Sequence, residues 1–177
     1  MMKVITGTLR GRTVQTLEGE ATRPTAQRVK EALFSAIQFD IEGRRVLDAF
    51  AGSGQLGIEA ISRGAASCVF VDNSREAAEV VRRNVTALGI ASQSTVLCQD
   101  SVNFLQRTAE RFDIVFLDPP YAAGLLLPAL TAAVEHLNPG GFVVCESGRD
   151  AQLPETVGDC TLYRSYQYSH VKLWIYR

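Results

Sequence analysis

Asp118-Pro119-Pro120-Tyr121 stands directly after the apolar run Phe112–Leu117, and its residue types concentrate hydrogen-bond acceptors on a stiff turn. Two consecutive prolines fix φ and carry no N–H, so the carbonyls around them are left to accept, and Asp118 adds a carboxylate. Such a corner suits a partner with two N–H groups, above all the exocyclic amine of a nucleic-acid base. That amine is a weak nucleophile because its lone pair is delocalised into the ring. Acceptors on both N–H groups, one the Asp118 carboxylate and one a proline carbonyl, stabilise the positive charge that grows as it attacks a methyl carbon. Tyr121 is placed to stack on the flat ring and hold it in line. As an isolated tetrapeptide this is a proline turn with a capping acid and a packed tyrosine. Its standing as a site depends on the neighbouring segment.

That segment, Arg45 to Gly57, is an apolar strand entering a glycine turn that opens a helix. Gly52 and Gly54 permit positive φ and close approach of a ligand to the backbone, and the helix start offers N–H groups. Gly52, Gly54 and Gly57 also satisfy the dinucleotide spacing G-x-G-x-x-G, with Asp72 at the end of the next strand, so a nicotinamide-dependent oxidoreductase is an alternative. Asp48 argues against it, because a carboxylate four residues before Gly52 repels a pyrophosphate. S-adenosylmethionine carries a sulfonium and an ammonium and no phosphate, so the same acid attracts it. Asp72 suits two ribose hydroxyls in either reading, or simply caps a helix. Asp100, with Ser101 beside it, suits an adenine amino group, or is a plain N-cap.

The elements that must hold these residues follow from periodicity. Strands are expected at 45–50, 67–72, 94–98, 112–117 and 141–146, with helices at 25–39, 54–63, 74–88, 101–108 and 125–137. In the third of these helices Ser74 caps, Ala77, Val81, Val85 and Leu88 form the apolar stripe, and Gly89 ends it. Pro139-Gly140-Gly141 is expected to break the last helix. Two further strands, 159–165 and 170–176, form an antiparallel pair. The fold class is therefore α/β and Rossmann-like, a seven-stranded, mostly parallel sheet with helices on both faces. Strands at 3–8 and 12–17 make a small N-terminal hairpin extension. The expected division is an RNA-contacting extension over 1–24 and a catalytic domain over 25–177.

With 177 residues, 46% hydrophobic and 21% charged, the chain has the size and composition of one globular domain and no stretch resembling a membrane span or secretory signal. A cytoplasmic location is expected. The net charge of -1 hides an asymmetry, since residues 1–30 hold six Lys and Arg against Glu18 and Glu20. Such a basic arm is either a nucleic-acid contact or a solvated edge. Cys68, Cys98, Cys145 and Cys160 form no C-x-x-C pair and read mostly as buried thiols. His136 and His170 lack acidic or cysteine company, so no metal site is expected.

Asp48 to Gly57, Asp72 and Asp118-Pro119-Pro120-Tyr121 resemble the class I methyltransferases that act on base amino groups. Over essentially its whole length the chain resembles the bacterial RsmD family, which methylates guanine N2 in 16S ribosomal RNA. The closer likeness rests on Gly7-Thr8-Leu9-Arg10-Gly11-Arg12, Thr22-Arg23-Pro24-Thr25, Arg28 to Phe34, Phe50 to Gly54, Ser62-Arg63-Gly64-Ala65 and Phe116 to Tyr121. Ala49 and Gln55 depart mildly from the pattern. The resemblance implies that S-adenosylmethionine lies along Asp48, Phe50, Gly52, Ser53, Gly54, Asp72, Asn73, Asp100 and Ser101. It implies a target guanine against Asp118, Pro119, Pro120 and Tyr121, and RNA phosphates gripped by Arg10, Arg12, Arg23, Arg28 and Lys30. The implied partner is 16S ribosomal RNA or a small-subunit particle, with the chain acting as a monomer. A DNA adenine or cytosine amino-methyltransferase would use the same catalytic turn, and a non-enzymatic RNA-binding module is a further alternative.

Overall fold

The computed structural model describes residues 1–17 and 24–177. A two-stranded antiparallel ribbon, β1 (Met2–Lys3) with β2 (Thr13–Val14), precedes α1 (Pro24–Ala36). Then follow β3 (Arg45–Asp48), α2 (Gln55–Ser62), β4 (Ser67–Asp72), α3 (Arg75–Ala87), β5 (Ser94–Cys98), α4 (Ser101–Arg107) and β6 (Phe112–Leu117). The chain closes with α5 (Leu126–Val134), β7 (Leu137–Gly148), β8 (Thr156–Val157), β9 (Cys160–Tyr168) and β10 (Val171–Tyr176). The main sheet runs in the order β5-β4-β3-β6-β7-β10-β9-β8, parallel through β7 and antiparallel beyond it.

Side-chain alternation decides which residues meet which layer, because successive strand residues point to opposite faces. Val46, Phe70, Ile114, Phe116, Phe142 and Val144 pack with the apolar stripes of α1, α2 and α3. Their neighbours Leu47, Val69, Val71, Val115, Val143 and Cys145 pack with α4 and α5 on the other face. Each fully buried aliphatic or phenyl side chain contributes about 1.5–3 kcal/mol relative to exposure. Strand order reverses between β3 and β6, and this places a crevice beyond their carboxyl ends, where open α/β sheets bind ligands.

Beyond shifts of a few residues at strand ends, the structure departs from the sequence-based expectations in four places. Eight strands rather than seven form the sheet, because Thr156–Val157 adds a short edge. The N-terminal strands shrink to two residues each, since the N–H groups of Ile5, Thr6, Thr8 and Leu9 bond to Glu59 and Ser62 on α2 instead of a partner strand. Helix α1 stops at Ala36 rather than 39, and α5 stops at Val134, so Pro139-Gly140-Gly141 lies within β7, beside an irregularity in its pairing with β6. Cys98 is exposed on the edge strand β5, whereas Cys68, Cys145 and Cys160 are buried. Among the described residues no helix is long and apolar enough to cross a membrane, and no group of three or more His, Cys, Asp or Glu is placed to hold a metal ion.

Candidate active site

The strand β3 ends on Asp48, whose carboxylate is buried and accepts from the Gly57 N–H at 3.0 Å. The glycine turn therefore wraps an acid rather than leaving its amides for phosphate. Gly52 (φ 51°) and Gly54 (φ 83°) take the left-handed conformations that the turn demands. Gly57 is required for a different reason: a Cβ there would lie 2.3 Å from the Phe70 ring and 2.6 Å from Cys68 Sγ, so helix and strand touch backbone to side chain. Burial, then the neighbouring Asp48 charge, pushes the Cys68 thiol well above its ordinary range, which leaves it an inert packing group.

Asp72, at the end of β4, is held by two amides. Gly52 N–H donates to Oδ2 at 2.9 Å and Ser74 N–H donates to Oδ1 at 2.8 Å. Ser74 Oγ in turn accepts from Ala77 N–H and caps α3, as its sequence position implied. Asp100 caps α4 through Asn103 N–H at 2.7 Å, the N-cap that its sequence position allowed, and it also borders the cavity. Phe50, Gly52, Ser53, Asn73 and Ser101 complete this wall of a cavity of about 660 Å³. Gly54, the residue before α2, does not line it.

Across the cavity, β6 delivers Asp118, Pro119, Pro120 and Tyr121 to the same space. Asp118 is half-buried, Pro119 is buried, and the Tyr121 ring is 52% exposed, which leaves it open to a stacking partner. The Tyr121 hydroxyl donates to Glu146 Oε1 at 2.7 Å. Burial, Glu146 and Asp118 together push the Tyr121 phenol well above its ordinary pKa, so it remains a protonated donor.

Two polar residues that periodicity alone did not single out, one buried and one half-buried, support this site. Asn84 lies on the apolar stripe of α3, and that misplacement is the signal that marks it. Its amide donates to the carbonyls of Ser53 and Gln15, each at 2.9 Å, and its Oδ1 accepts from Gln15 N–H at 2.9 Å, tying the glycine turn to the N-terminal segment. Asn84→Ala is expected to cost about 2–3 kcal/mol by stranding those groups. A calorimetric loss below about 0.5 kcal/mol would show that the turn is held by something else. Glu146 is the second: a lone acid inside the buried run Phe142–Ser147 at the site end of β7.

The basic residues separate. Lys30 is not on an outer face. It is 6% exposed, borders the cavity and faces Glu59 Oε2 at 3.9 Å, which corrects the surface grip expected of it. Arg28 is exposed two residues earlier on α1. Arg10 and Arg12 are exposed on the hairpin tip, and Arg12 Nη2 donates to the carbonyl of Ala87, the last residue of α3. The helices run opposite to the strands, so that tip lies at the far end of the sheet from Asp118. Arg23 falls outside the described residues.

The model of the family described as Conserved hypothetical protein 95 matches residues 2–177. YlbH of Bacillus subtilis is 41% identical over 99% of this chain and 98% of its own. Ribosomal RNA small subunit methyltransferase D of Haemophilus influenzae is 37% identical over 86% of this chain and 81% of its own. The solved structure of yhhF from Escherichia coli superposes with a TM-score of 0.86 at 30% identity, covering 99% of this chain and 96% of that one. With an acid-lined crevice and an Asp-Pro-Pro-Tyr corner facing one another across the switch point of a Rossmann-like sheet, the chain belongs to this family, that of the ribosomal RNA small subunit methyltransferases D.

Proposed function

We propose that the protein transfers a methyl group from S-adenosylmethionine to the exocyclic N2 amine of a guanine in 16S ribosomal RNA. The observation that carries this reading is the shared cavity. Asp48, Asp72 and Asp100 line one side, Asp118 to Tyr121 the other, and one space holds both sets. The acids fit a cationic cofactor and oppose a pyrophosphate, and the amides of Gly52 and Gly57 already serve Asp72 and Asp48. When bound, the sulfonium supplies an activated methyl, so no metal is required. Asp48 attracts the positive end, and Asp72, oriented by its two amides, has lone pairs left for ribose hydroxyls.

On the opposite side Tyr121 stacks the base and Asp118 accepts from the amine. The bound cofactor would supply the methyl carbon to the N2 lone pair, with the neutral thioether as leaving group. Asp118 stabilises the charge that develops on nitrogen, and the spare proton leaves to solvent afterwards. Arg28, exposed on α1, grips phosphate; Arg10 and Arg12 hold RNA further along, and Arg23 belongs to the same basic arm. The division into an RNA-contacting 1–24 and a catalytic 25–177 follows from this assignment, with a monomer acting in the cytoplasm. The test is incubation with labelled cofactor and small-subunit particles from cells lacking the enzyme, followed by mass-spectrometric mapping. One methyl on a guanine N2 is the expected product. A methyl on an adenine or cytosine amine, on DNA instead of RNA, or on nothing, overturns the assignment.

A further inference from the structure

Glu146 is an acid on the cavity wall whose chemistry the transfer just described does not use. It stands on β7 beside the catalytic corner, because Leu117 pairs with Cys145 and the next residues, Asp118 and Glu146, emerge side by side at the strand ends. Neighbouring strands are about 4.8 Å apart. The Tyr121 hydroxyl fixes one oxygen, Oε1, at 2.7 Å. The other, Oε2, has no hydrogen-bond partner among the described residues, and no buried side-chain oxygen or nitrogen there is left unpartnered, so Oε2 faces the open space of the cavity. No cation pairs with this acid among the described residues, and burial pushes its carboxyl pKa upward. An acid desolvated without a counter-charge is a cost to the fold that a ligand's donor would relieve.

We propose that Glu146 reads the edge of the target base, its Oε2 accepting from guanine N1–H next to the N2 amine presented to Asp118, and thereby selects guanine. The inference rests on the amino-methylation reading above and adds its specificity. Guanine carries N1–H and N2–H2 as adjacent donors, and two neighbouring carboxylates match that pair. Adenine N1 and cytosine N3 are acceptors, so the same carboxylate repels them. A site built around a substrate N–H discriminates strongly, because the analogue lacking it leaves a buried acceptor unpaired.

The test uses small-subunit particles assembled on transcripts that carry, at the mapped position, either guanine or 2-aminopurine, which keeps the 2-amino group but has an unprotonated N1. The wild-type protein is expected to prefer guanine in kcat/KM by about 10- to 100-fold, the range of one hydrogen bond to a charged group. Glu146→Gln still offers an acceptor to Tyr121 but turns an amide N–H toward N1–H. It is expected to lose about 10- to 100-fold on guanine, to bring the two substrates within about threefold, and to keep its cofactor affinity. Removing the disfavoured charge should also raise its Tm at neutral pH. The carboxyl pKa is raised on folding, so the charged form opposes folding above the ordinary carboxylate range, and the gain disappears below it, where both side chains are neutral. Equal wild-type turnover of guanine and 2-aminopurine overturns this inference alone. So does a Glu146→Gln protein with lowered Tm and undiminished preference for guanine, since Glu146 would then only brace Tyr121. A wild-type protein that leaves guanine unmodified overturns the underlying reading, and this one with it. The analogue comparison in the wild type stands even if the variant fails to fold.

Discussion

Asp118→Ala is expected to slow methyl transfer by about a thousandfold while leaving S-adenosylmethionine affinity within a few-fold of wild type, the upper range for removing one preorganised charge-stabilising group. The split follows from geometry. Asp118 belongs to the β6 corner with Pro119 and Tyr121, whereas Asp48, Asp72 and Gly52 are fixed by their own hydrogen bonds on β3, β4 and the turn between. Asp118→Asn keeps one carbonyl acceptor and should lose less, because a neutral acceptor is the weaker one. Single-turnover transfer of labelled methyl gives the rate, and calorimetric titration gives the affinity. Normal turnover with weakened cofactor binding would mean that the two walls have been assigned the wrong way round.

Glu59→Ala is expected to have the largest effect on stability, about 3–5 kcal/mol, the cost of breaking a buried charge cluster from one side. Glu59 is 0% exposed and accepts from Ile5 N–H at 2.8 Å, Thr6 N–H at 3.0 Å and Arg63 Nε at 2.9 Å, with Lys30 Nζ at 3.9 Å. One carboxylate thus joins the N-terminal segment, α1 and α2. Burial already lowers the Lys30 pKa, and attraction to Glu59 opposes that shift. Without Glu59 the attraction that opposes this shift is lost, and the Lys30 pKa is expected to fall further. Thermal unfolding should show the loss, and hydrogen exchange should show early opening of residues 1–17. A Tm within a degree or two of wild type would mean that the extension is anchored instead by its apolar contacts, Val4, Leu9 and Val14, and by its hydrogen bonds to Ser62 and Asn84.

The parts of this fold legible in the sequence are those whose cause is local. Strands such as 67–72, 94–98 and 112–117 were placed to the residue because each is a short apolar run bounded by turn residues, and α3 because its cap, stripe and terminal glycine agree. The glycine turn and the Asp-Pro-Pro-Tyr corner were legible for the same reason. What escaped depends on partners far along the chain. The N-terminal strands are short because their amides reach Glu59 and Ser62 some 53 or 54 residues away. Lys30 looks like one more cation of a basic arm until Glu59 is brought beneath it. Glu146 is an ordinary acid in sequence and a cavity wall only after β7 is laid beside β6.

The position of β10 between β7 and β9 has a consequence for synthesis. Residues 171–176 form an interior strand of the sheet, pairing along their whole length on both sides. As the chain leaves the ribosome, β7 and the carboxyl end that presents Glu146 must wait until β8, β9 and then residues 171–176 have been made before their second neighbour exists. Until then two strand edges are bare and open to adhesion. A product cut short before Val171 would therefore lack the brace behind Glu146 however complete its glycine turn.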